Sequence, residues 1–191
     1  GRDFYPYLRK LTEKNGTLLV FDEIVTGFRI ALAGVQEYFS VTPDLAVFAK
    51  GMANGMPLSV FCGRSDIMDE ISKGASISST YGGEQLSLAA ALAVINIYKR
   101  DNVIDYLKNN GTYLWNEANK IFKSKGLPIE YRGLGQCPVI KCSESGLKEK
   151  FLRKAYLNGI SQYNVSYKNF SHRKADIEET LERRDTAATM V

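Results

Sequence analysis

Two short, continuously apolar runs constrain this chain more than any other feature. Thr17-Leu18-Leu19-Val20-Phe21 and Leu45-Ala46-Val47-Phe48-Ala49 show none of the polar alternation of a strand with one wet face. Such runs are the habit of strands covered on both faces, as in parallel sheets. The first stops abruptly at Asp22-Glu23; the second, introduced by Pro43-Asp44, stops at Lys50. Ahead of them Phe4, Leu8 and Leu11 recur at helical spacing until Asn15-Gly16 breaks the pattern. Between them lie Thr26-Gly27-Phe28-Arg29 and Gln36-Glu37-Tyr38-Phe39, enough chain for a crossover. The order helix, strand, crossover, strand predicts an α/β sheet within residues 1–84.

The rest of the chain reads differently. A short strand is expected over residues 58–62, a helix over 65–73, and a loop over the small and hydroxyl residues 74–83. Residues 86–98 form an Ala-rich helix apolar enough all round to be buried. Further helices are expected over 106–125, 147–158 and 175–184, with short strands between and a frayed end over 186–191. The organisation expected is therefore a sheet-forming part (1–84), a linking helical region (85–110) and a small α+β domain (111–191).

Composition narrows the function. Among 191 residues there are 25 Lys+Arg and 21 Asp+Glu, a formal charge of +4. The basic residues of the middle section (Lys99, Arg100, Lys108, Lys120, Lys123 and Lys125) are interleaved with acids, so a solvated helical face is expected and not a nucleic-acid surface. Cys62, Cys137 and Cys142 are widely placed, and with the single His172 they make no convincing zinc set. No metal is expected. Reduced thiols, no run long enough for a membrane span and no leader at Gly1-Arg2-Asp3 give the expectation of a cytoplasmic protein.

The chemistry is carried by what ends the two apolar runs. Open α/β sheets bind ligands at the carboxyl ends of their strands. Here one strand ends in a carboxylate, Asp22, and the next in an amine, Lys50. A lysine at the rim of an apolar sheet, partly stripped of water, is a usable amine nucleophile. A carboxylate beside it can keep a heteroaromatic nitrogen protonated. That pair meets the needs of pyridoxal 5'-phosphate (PLP), which wants an amine to hold its aldehyde and an acid on its ring nitrogen.

The same residues carry a family resemblance. LLVFDEIVTGFRIALAGVQEYFSVTPD, residues 18–44, resembles the class III aminotransferases of PLP fold type I, and most of all their glutamate-1-semialdehyde 2,1-aminomutase branch. The signature D-E-[VI]-x-T-G-F-R is matched from Asp22 to Arg29, and Lys50 falls where that family places its Schiff-base lysine. STYGGEQLSLAAALA (79–93) resembles the family's threonine loop and following helix, and NFSHRKADIEETLE (169–182) its C-terminal pattern. Glu84-Gln85 departs from the common Asn-Pro, and Arg173-Lys174 from small or acidic residues.

The resemblance implies a fold type I fragment: part of the mainly parallel large-domain sheet, then a small α+β domain. It implies that Lys50 is catalytic, holding PLP and shuttling a proton. Asp22 would pair with the pyridine nitrogen, Ile24 would pack on the ring, and Thr80 would offer its hydroxyl and N–H to the phosphate across a dimer interface. Glu23 would be a structural hydrogen-bonding partner. His172, Tyr81 and Tyr163 would be structural or packing residues, and Arg29 would either steer a carboxylate or be packed and paired. Family members are about twice as long, so the resemblance implies an N-terminal half that completes the site. The partners implied are a small-molecule amino donor and carbonyl acceptor, and a homodimer or an assembly with an N-terminal half chain. The alternative is a truncated, non-catalytic scaffold or interaction subunit.

Overall fold

The computed structural model describes residues 2–191 and divides into two compact units, Gly1–Ile104 and Asp105–Val191. In the first, α1 (Phe4–Lys14) leads into β1 (Val20–Asp22), and a short α2 (Val35–Phe39) lies on the way to β2 (Leu45–Phe48). β1 and β2 pair in parallel, with Val20 opposite Leu45, Phe21 opposite Ala46 and Asp22 opposite Val47. The expected α/β crossover is therefore present. β3 (Val60–Gly63) then pairs with β2 antiparallel, so the sheet has the order β1-β2-β3 and only one of its ladders is parallel. The connection over residues 49–59 holds only a 3-10 turn at Lys50–Met52. It is too short for a crossover helix, and the chain doubles back.

One face of this sheet is packed and the other is not. Leu19, Phe21 and Val41 are buried beneath Tyr5, Leu8 and Val35 of α1 and α2. The expectation that both faces are covered fails here, because Val20 is 52% exposed and every residue of β3 is exposed. The described residues supply a layer for one side of the sheet only. α3 (Ser65–Met68) continues as a 3-10 helix through Lys73, so the helix expected over 65–73 forms in two registers. α4 (Gln85–Arg100) is longer than expected and starts from Glu84, whose carboxylate accepts from the N–H groups of Leu86 (2.8 Å) and Ser87 (2.7 Å). It is not buried all round: Ser87 and Ala91 are covered, while Leu86, Leu88 and Leu92 face outward.

The second unit is built on α5 (Val103–Ser124), the antiparallel pair β4 (Ile129–Arg132) and β5 (Val139–Cys142), α6 (Leu147–Leu157) and α7 (Lys174–Thr189). Its core stacks Phe122 against Phe151 edge to face and against Tyr131, with Ala118, Ala155, Ile129 and Ile140 around them. Asn119 pairs with the backbone of Tyr131 through both ends of its amide, satisfying an edge of β4 that no strand among the described residues covers. The frayed end expected over residues 186–191 is instead helix through Thr189, because Ala187 and Ala188 are buried in this core. No helix among the described residues is long and apolar enough to cross a membrane. No group of metal-binding side chains occurs among them either.

Candidate active site

Parallel pairing decides where Asp22 and Lys50 go. Asp22 is the last residue of β1 and lies opposite Val47 of β2; Lys50 follows the end of β2 by one residue, Ala49. Both therefore leave the sheet at the same, carboxyl edge. Asp22 is exposed, and its Oδ1 accepts from the N–H of Ile24 at 3.0 Å, which fixes the turn that carries Ile24. Its Oδ2 has no protein partner among the described residues. Lys50 takes the left-handed conformation at φ 46°, a sparsely populated state for a residue with a side chain. Its ammonium makes no hydrogen bond or ion pair with a described residue.

Lys50 is also exposed, which corrects the expectation that the rim of the sheet strips it of water. The loop that follows, from Gly51 to Pro57, packs inward through Met52 and Ala53 and leaves the amine uncovered. Thr80 lies in an exposed turn and makes no hydrogen bond to the strand ends; the described residues do not join it to Asp22 and Lys50. Tyr81 and Tyr163, expected as packing residues, are exposed, the latter 81% so.

The neighbouring motif residues hold the edge in place. Glu23 is fully buried and accepts from Thr26 Oγ1, from Val35 N–H at 2.8 Å and from Gln36 N–H at 3.0 Å. It thus caps α2 and bears out the structural reading of this residue. Its own N–H donates to Val47 O at 2.8 Å, extending the parallel ladder one step past Asp22. Gly27 has no room for a side chain, since a Cβ there would lie 2.5 Å from the Phe48 ring. Phe28 meets Phe48 and Tyr98 edge to face, and the Tyr98 hydroxyl donates to Phe28 O at 2.9 Å. These contacts lock the 26–29 turn to the strand that delivers Lys50.

Asp44 is the anchor that the sequence reading passed over. It is buried, and it accepts from Leu19 N–H (2.7 Å), Arg64 (2.9 Å) and Arg9 (2.9 Å). Those donors hold its carboxyl down to about 2, the Leu19 N–H having the largest effect, then Arg64, with Arg9 adding less. One side chain thus clamps α1, the start of β1 and the end of β3 to the start of β2. Its only sequence signal is its position, directly after Pro43 and directly before an apolar run.

The fold is that of about half of a fold type I transaminase, as its superposition on solved structures shows. Among the solved structures that carry this fold are the following two. The chain superposes on the FumI protein of Sphingopyxis sp. MTA144, described as its PLP internal aldimine form, with a TM-score of 0.92 at 23% identity, covering 100% of this chain and 47% of that one. An omega-transaminase from Sphaerobacter thermophilus gives 0.89 at 19% identity, covering 99% and 48%.

Residues 1–182 match the aminotransferase class-III family, and the chain belongs to that family. It is 33% identical over 194 residues to the glutamate-1-semialdehyde 2,1-aminomutase of Methanosarcina acetivorans, covering 92% of this chain and 46% of that protein. It is 34% identical over 167 residues to the 3-aminobutyryl-CoA aminotransferase of Cloacimonas acidaminovorans, covering 86% and 40%. The chain thus spans about half the length of the curated relatives it matches.

Proposed function

We propose that this chain contributes the amine-bearing half of a PLP-dependent enzyme that moves an amino group between a small amino donor and a carbonyl acceptor. The observation that carries the reading is the delivery of Asp22 and Lys50 to one edge of a parallel strand pair. The residues fit the group. Asp22 has an oxygen to spare for a protonated ring nitrogen, and Lys50 has an unengaged amine held in an unusual backbone state. When bound, the cofactor supplies an electron sink for the substrate's α-carbon.

This chain's own residues do the rest. Lys50 holds the aldehyde end and moves a proton at the substrate carbon, Asp22 keeps the ring nitrogen charged, and Ile24 packs an aliphatic face on the ring. Thr80 offers donors to the phosphate. Because the described residues do not join it to Lys50, we assign it to the site of a second copy in a homodimer. Glu23 and Asp44 position the edge without touching the reacting atoms.

In this proposal residues 1–84 belong to the cofactor-binding domain, 85–110 link it onward, and 111–191 form the small domain. Chain outside these residues, as the same polypeptide or as an N-terminal half chain, supplies the second cover of the sheet. It also supplies the desolvation that Lys50 lacks here. The matches to an aminomutase and to an aminotransferase support amino-group transfer as the class. The reduced state expected for the cysteines supports a cytoplasmic setting.

The test is to combine the chain with PLP and with an N-terminal half from the family, and to follow the cofactor's absorption as an amino donor is added. Donor-dependent bleaching that Lys50→Ala abolishes supports the enzyme. A second reading, a non-catalytic interaction subunit, is favoured by one observation: β3 presents Val60 and Phe61 on an open edge. Stable assembly with no cofactor spectrum would select it.

A further inference from the structure

The second unit carries a half-open cavity of about 500 Å³. Its walls include Trp115, Gln162, Ser166, Lys168 and Arg184. Arg184 is 2% exposed, yet no carboxylate of a described residue lies within salt-bridge distance of it. Its guanidinium stands over the rings of Tyr131 (4.9 Å) and Trp115 (5.4 Å), and its Nη1 donates to the Tyr131 hydroxyl. That hydroxyl in turn donates to Gln162 Oε1 at 2.8 Å. The relay uses up the acceptor of the amide and leaves three groups without a partner among the described residues: Arg184 Nε, Gln162 Nε2 and Ser166 Oγ, all buried. Each of the three can donate, and the first carries a positive charge.

A buried cation held by two ring faces and one neutral hydroxyl, beside two unmet neutral donors, is costly unless an anion completes it. Lys168, 1% exposed, adds a second positive charge to the same walls, with its ammonium held by His172 O at 2.9 Å. The two acids that line the cavity are already engaged. Asp176 accepts from the N–H of Arg173 at 2.7 Å, and Glu179 pairs with Arg183. A planar guanidinium edge with an amide and a hydroxyl beside it suits a planar, two-oxygen acceptor better than a tetrahedral one. Trp115, Leu114, Ile160 and Val165 give the remaining wall an apolar character that accepts a short carbon body.

We propose that this cavity of the second unit is a binding site for a small organic carboxylate, held by Arg184, Gln162 and Ser166. Trp115 is the only tryptophan in the chain and lines this cavity, so its emission reports on the cavity. The experiment titrates the whole chain with sodium succinate at constant ionic strength while following Trp115 fluorescence, with inorganic phosphate as the comparison. A saturable change with succinate is expected, and Arg184→Met is expected to weaken it at least about tenfold, the loss of a charge-assisted pair. Gln162→Leu and Ser166→Ala leave the Arg184–Trp115 contact in place and keep the test valid if Arg184→Met does not fold; each is expected to raise the half-saturating concentration about threefold to tenfold. No saturable change with succinate, a response to phosphate without one to succinate, or an unchanged response in both neutral variants would overturn the assignment. Because Lys50→Ala leaves this readout intact, failure here is distinct from failure of the cofactor site.

Discussion

Glu23 and Gly34 meet so closely that a side chain at position 34 would put its Cβ 2.0 Å from Glu23 Oε2. The glycine also has φ 74° and ψ −139°, where residues with a Cβ are strained. Gly34→Ala is therefore expected to displace the carboxylate from the N–H groups of Val35 and Gln36. The expected loss is about 2 kcal/mol or more of stability, read from the midpoint of urea unfolding with m unchanged. Glu23→Ala, which removes the clash partner, should restore part of the loss in the double variant.

Asp44 makes the first unit sensitive to acid. Its carboxyl is held at about 2 by the Leu19 N–H, Arg64 and Arg9, below the usual carboxylate range. A lowered folded-state value means that the contribution is complete above about pH 5, where the unfolded chain is also ionised. It is then lost as the pH falls toward 2. Asp44→Asn should flatten that part of the stability curve, measured by thermal unfolding between pH 2 and 5. Asp44→Ala should cost about 1–3 kcal/mol at pH 7, because it leaves the buried Leu19 N–H without its acceptor and removes the carboxylate that Arg9 and Arg64 share.

Lys168 has the opposite sign. Burial, and secondarily the nearby Arg173 charge, pull its ammonium down to about 8, against a smaller upward pull from Asp176. Folding disfavours the charged form, so stability should rise as the pH passes from 8 toward the ordinary lysine range. Comparing the pH dependence of unfolding for the parent and Lys168→Met isolates this contribution; the variant should lack the rise.

The core of the second unit rests on one ring. Phe122 is fully buried, edge-on to Phe151 and stacked on Tyr131. Phe122→Ala should cost about 3–5 kcal/mol by denaturant unfolding, and Phe122→Leu markedly less.

The legible parts of this molecule were those in which local pattern and tertiary role coincide. The runs ending at Asp22 and Lys50 carry β1 and β2 and, through their order, the parallel edge where the two groups emerge. Helical spacing located every long helix to within a few residues. What the pattern could not reveal was coverage. Val20, β3 and the outer face of α4 are as apolar as core, yet they are open here, because a strand's burial depends on layers that its own residues do not encode. The same reason explains why Lys50 emerges uncovered. Ala187 and Ala188 carry little periodic signal in the sequence, although their small size is what lets α7 approach the core. Asp44 and Arg184 escaped notice because their partners lie far off in sequence, at Arg9, Arg64, Tyr131 and Trp115.

The claim that Asp22 and Lys50 together grip PLP is tested most directly by chemical fixation. The chain, assembled with an N-terminal half and PLP, is treated with borohydride, and the site of the pyridoxyl label is mapped by peptide mass spectrometry. The account predicts label concentrated on Lys50, absent in Lys50→Ala and reduced about tenfold or more in Asp22→Ala at equal PLP, since that change removes a charge-assisted bond to the ring nitrogen. Label spread over surface lysines without preference for Lys50, or unaffected by loss of Asp22, would contradict it.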